Sequence, residues 1–77
     1  MSGIYDQIGA LTKAAVAIVK VINDHRDQLT ELDANPTFRD SPGAQHLRNE
    51  IARLQEDLLF LRTEIILARE RFRRRVR

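Results

Sequence analysis

The sequence contains no cysteine and no tryptophan, and only one tyrosine, two prolines and three glycines. Without cysteine there is no disulfide and no thiolate zinc site, and the redox compartment is left open. The two histidines, His25 and His46, stand far apart with no companion at ligand spacing, so no metal is expected. Long apolar runs are missing too. The most apolar stretch, Ala14 to Val19, is bracketed by Lys13 and Lys20 and falls far short of the roughly 20 residues a membrane span needs. No segment reads as a signal peptide, and the expected location is cytoplasmic. A chain of 77 residues buries too little of its unfolded surface to be comfortably stable on one small core. With disulfides and metal set aside, helix packing and assembly remain.

What is present is a rich supply of helix formers in two matched patterns. In the first half Ile4, Ile8, Leu11, Ala15, Ile18, Ile22, His25, Leu29 and Leu32 recur at alternating steps of four and three. In the second half Leu47, Ile51, Leu54, Leu58, Leu61, Ile65, Ala68 and Phe72 do the same. This is the repeat of a coiled-coil seam, about 3.5 residues on average, held for about four heptads in each half.

Between the halves lie Asn35-Pro36, Asp40, Ser41, Pro42 and Gly43, all turn or boundary residues. Pro36 pushes Asn35 out of helical geometry, and Ser41 followed by Pro42 reads as an N-cap and first helical residue. The expectation is one all-α domain over residues 1–77: helix one at about 3–34, a loop at about 35–41 and helix two at about 42–75. A connection this short makes the helices antiparallel neighbours, a coiled-coil-like hairpin. An antiparallel register sets Ile4 against Phe72, Ile8 against Ala68, Leu11 against Ile65, Ala15 against Leu61, Ile18 against Leu58, Ile22 against Leu54, His25 against Ile51 and Leu29 against Leu47. Each alanine then faces a larger residue, as interdigitated layers require.

A hairpin needs one apolar stripe per helix, and this chain has more. Val19 and Val21 flank the first stripe and Val16 lies nearly opposite it; Leu59 and Ile66 lie off the second stripe on one side, Phe60 and Leu67 on the other. Leaving the last four in water forfeits roughly 1.5–3 kcal/mol each. That total is comparable with the whole stability of a small domain, about 5–15 kcal/mol. The simplest solution is a two-fold dimer forming a four-helix bundle. The expected interface residues are Val16, Val19, Leu59, Phe60, Ile66 and Leu67.

The charges are unevenly spread. Residues 69–77 hold six of the thirteen basic residues and a single acid, Glu70, while residues 1–68 hold seven basic and ten acidic residues. Arg69, Arg71, Arg73, Arg74, Arg75 and Arg77 form a basic tip suited to phosphate or to an acidic partner, or to solubility and the negative end of a helix dipole. His25 breaks the apolar rule of its stripe. It is expected to be neutral, held by a nearby polar group and fixing register, with a pH switch as the alternative. Glu50, Glu56, Asp57 and Glu64 interleave with Arg48, Arg53 and Arg62, as on a solvated face with Glu50 or Asp57 paired to Arg53. The connection carries Phe38 and Arg39, a possible anchor pair for a partner. Phe38 is rather expected to fold back and cap the core beneath Leu32 and Leu47. Tyr5 is expected near Phe72 at the opposite end.

No catalytic, metal, nucleotide or cofactor signature is present, and an enzyme is not expected. In general type the pattern resembles the small helical-hairpin proteins of bacteria and phages that serve as secretion co-chaperones, adaptors or inhibitors, a likeness of architecture alone. The surplus apolar faces point to a homo-oligomeric module that binds a larger protein. The alternative is a nucleic-acid-associated protein that holds phosphate through its C-terminal arginines.

Overall fold

The computed structural model describes residues 3–75; the side chains of Ile4, Tyr5 and Arg75 lie outside the described residues, as does Arg77. The expected neighbourhood of Tyr5 and Phe72 therefore lies outside them as well. The described chain is all-helical, with α1 at Ile4–Asp33, α2 at Pro36–Arg39 and α3 at Pro42–Arg75. The helices of 30 and 34 residues have lengths of about 45 and about 51 Å. The two long helices pack against each other, and the molecule measures 60 × 16 × 15 Å.

Local sequence explains where the helices start and stop. Gly3 is extended and donates its N–H to the Asp6 carboxylate at 3.3 Å, which occupies one of the unpaired groups at the start of α1. At the other end Ala34 and Asn35 donate their N–H groups to the carbonyls of Thr30 and Leu32. Pro36 forces Asn35 into an extended conformation, φ −109° and ψ 116°. The Asn35 side chain then accepts the Thr37 N–H at 2.9 Å and starts α2.

Here the structure corrects the sequence reading, which expected a loop throughout residues 35–41. Four of these residues, Pro36–Arg39, form one helical turn because an Asx cap and a proline at the first position are enough to close it. Ser41 joins this turn to α3. Its hydroxyl donates to the Phe38 carbonyl at 2.7 Å and accepts the Ala44 N–H at 3.2 Å, capping α3.

The core is thin. Ile22, Ala44, Ile51 and Ala68 are buried, and every other described stripe residue is half-buried. None of them is exposed. Ala44, fully buried, extends the α3 stripe one turn before Leu47. Two helices in contact cover each other along one line only, which leaves most seam residues with a wet edge.

Candidate protein-binding surface

The period of α3 places Leu59 and Ile66 two turns apart on one flank, and Phe60 and Leu67 two turns apart on the other. All four are exposed: Leu59 by 66%, Phe60 by 64%, Ile66 by 60% and Leu67 by 44%. Thr63 stands between these two pairs on the outer side of the helix, and its hydroxyl donates to the Leu59 carbonyl at 3.0 Å. The polar end of Thr63 is thus used inside the helix, which leaves two turns of apolar surface. On α1, Val16, Val19 and Val21 are exposed as well. The structure leaves all six expected interface residues of the helices uncovered.

A furrow runs between the long helices on one side. Its larger section, about 500 Å³, is lined from α1 by Val19, Ile22, Asn23 and Arg26 and from α3 by Gln55, Leu58, Leu59 and Arg62. A second section of about 350 Å³ takes Thr12 and Ala15 from α1 and Arg62, Ile65, Ile66 and Arg69 from α3. Arg62 lines both sections. The furrow lining holds three guanidinium groups and no carboxylate.

Other arginines are engaged. Arg48 bonds Asp33 at 2.8 Å, Arg53 bonds Glu50 at 2.7 Å and Arg73 meets Glu70 at 3.5 Å. Of the two carboxylates expected near Arg53, only Glu50 reaches it. Among the described residues Arg26, Arg39, Arg62, Arg69, Arg71 and Arg74 make no ion pair, and neither do Asp57 and Glu64.

At the connection, Phe38 is 48% exposed and does not fold under the core as a cap. It sits in the helical turn α2, whose backbone is tied to Asn35 and Ser41 and holds that ring at the surface. Arg39 is exposed beside it, with its carbonyl accepting from Arg48 at 3.0 Å. Helix α3 continues through the basic tip to Arg75, and Arg69, Arg71, Arg73 and Arg74 are exposed along it.

His25 also departs from expectation. Its Nδ1 is buried and has no hydrogen-bond partner. The residue the register sets against it, Ile51, is apolar and offers no donor or acceptor side chain. Among the described residues no cluster of three or more His, Asp or Glu side chains is positioned to hold a metal ion. No helix among them is long and apolar enough to cross a membrane.

Sequence reasoning named the apolar residues of this surface but missed the furrow arginines Arg26 and Arg62, and Asp57 and Glu64 as parts of a patterned surface. The signal was available: Arg62 and Arg69, like Asp57 and Glu64, are spaced seven apart. No protein-family model, no curated protein and no solved structure matches the chain.

Proposed function

We propose that the chain is a non-enzymatic protein-binding module: an antiparallel two-helix hairpin that self-assembles and acts as an adaptor, co-chaperone or inhibitor of a larger protein. The antiparallel arrangement is supported by the order of the neighbours. Thr12 and Ala15 share a furrow with Ile65, Ile66 and Arg69; Val19 to Arg26 share one with Gln55 to Arg62; and Asp33 bonds Arg48. As α1 advances, its neighbours on α3 step backwards.

The observation that carries the functional reading is the exposed run Leu59, Phe60, Ile66 and Leu67 on α3. Apolar side chains of this size, contiguous over two helical turns, mark an interface rather than a solvated face. A two-fold dimer with four helices around a shared core is the simplest assembly that would cover them, provided that both copies meet through this same face. Phe38 and Arg39 at one tip and the arginines at the other remain as polar and aromatic contacts for the larger partner.

The continued α3 favours one second reading. Arginines at 69, 71, 73 and 74, spread round about one and a half turns of an exposed helix end, would grip a phosphate backbone without reading sequence. Deleting residues 73–77 separates the two. Under the protein-binding reading, assembly and partner binding persist. Under the nucleic-acid reading, binding to duplex DNA at low salt is lost with the deletion.

A further inference from the structure

The two flanks of α3 carry stripes of the same period and opposite charge. On the furrow side run Leu59, Arg62, Ile66 and Arg69, at steps of three, four and three. On nearly the opposite side run Asp57, Phe60, Glu64 and Leu67, again at three, four and three. Read in opposite directions the stripes match at every position. Leu67 comes level with Leu59, Glu64 with Arg62, Phe60 with Ile66 and Asp57 with Arg69. Apolar residues meet apolar residues and each carboxylate meets a guanidinium.

From this match we infer that the occupant of the furrow is a second copy of the chain, which lays the acidic flank of its α3 antiparallel along the basic flank of the first. The inference rests on the reading of the chain as self-assembling. The four charged groups are available for it: Arg62 and Arg69, like Asp57 and Glu64, make no ion pair among the described residues. Charged groups seated among exposed leucine, isoleucine and phenylalanine gain most from a partner that brings the opposite charge and apolar cover at once. At the ends of the contact the match is poorer: Arg53 of the incoming copy comes level with Arg73 of the first, a like-charge pair softened by the glutamate each holds on its own helix, and Arg71 of the incoming copy comes level with Gln55. A nucleic-acid backbone would meet the arginines but leave Leu59 and Ile66 uncovered.

Such a contact is directional. Each copy presents one furrow and one acidic stripe on two sides of one helix, so a pair joined this way leaves one of each unfilled. Because each copy is turned about half a turn from the last, the contact cannot close into a ring, and assembly continues past two copies as an open array in place of the closed two-fold dimer.

The test uses charge reversal of the full chain in two variants, one with Arg62→Glu and Arg69→Glu, the other with Asp57→Arg and Glu64→Arg. Each alone has two flanks of the same sign. Both are expected to run as single chains of about 8.9 kDa in light scattering, under conditions where the unaltered chain is assembled. Mixed in equal amounts, each supplies the flank the other lacks, and the assembled mass returns. Helical circular dichroism of the separate variants checks that they fold, and recovery on mixing requires that they do. If either variant alone keeps the assembled mass, or the mixture stays at single-chain mass, the directional contact is wrong while the self-assembly reading stands. A single-chain mass for the unaltered protein overturns both.

Discussion

Arg48 and Asp33 are joined at 2.8 Å, so that the last residue of α1 is tied to the second turn of α3. The same Arg48 nitrogen, Nη2, donates to the Arg39 carbonyl at 3.0 Å and thereby also holds the end of α2. One guanidinium thus links all three helices at the connection. Both side chains are partly exposed, which limits the strength of the pair. Arg48→Ala is expected to cost about 1 kcal/mol in chemical denaturation, with part of that cost disappearing at high salt. A lysine would restore less than half of it, since an ammonium at the end of a flexible stem does not reach both acceptors in this geometry.

Ala68 is 1% exposed in the seam, where the sequence register sets it against the larger Ile8. Ala68→Leu enlarges a side chain that is closed off from solvent, and a loss of about 1–3 kcal/mol is expected in urea unfolding at fixed chain concentration. The same exchange at the outer residue Ala52, which is exposed, should change stability by less than about 0.5 kcal/mol.

The buried Nδ1 of His25 has no partner, so the seam carries the desolvation of a polar atom without a bond to offset it. His25→Leu restores the apolar rule of the stripe and should raise stability by about 1 kcal/mol, a rise of roughly 4–8 °C in the thermal midpoint for a domain of this size. A fall in the midpoint would contradict a net cost from the unpartnered Nδ1.

Gly9 lies within α1, is exposed, and has open space where a Cβ would stand. Gly9→Ala should therefore stabilise the helix by about 0.5–1 kcal/mol without altering the assembled mass. Circular dichroism melts of both proteins check it.

The helices and their contact line were legible because the pattern has a period. Every described residue of both stripes is buried or half-buried, since a side chain repeated every three and four residues returns to the same face. The helical turn α2 was not legible, for four residues hold no period, and only the Asn35 cap and Pro36 hint at it. The direction of Phe38 depended on the backbone ties of that turn and could not be read beforehand. Ala44 was overlooked as a core residue because it is small and sits beside a proline and a glycine. The acidic and basic flanks of α3 were present in the sequence as seven-residue spacings. They passed for a solvated face because their meaning depends on which arginines find partners, and that is visible only in three dimensions.

One copy alone leaves its apolar surface uncovered, and the most direct test of self-assembly is the solution mass by light scattering after size exclusion. The self-assembly reading predicts at least twice the single-chain 8.9 kDa at micromolar concentration, with assembly surviving in high salt because its core is apolar. A single chain of 8.9 kDa that unfolds cooperatively at every concentration tried would contradict it.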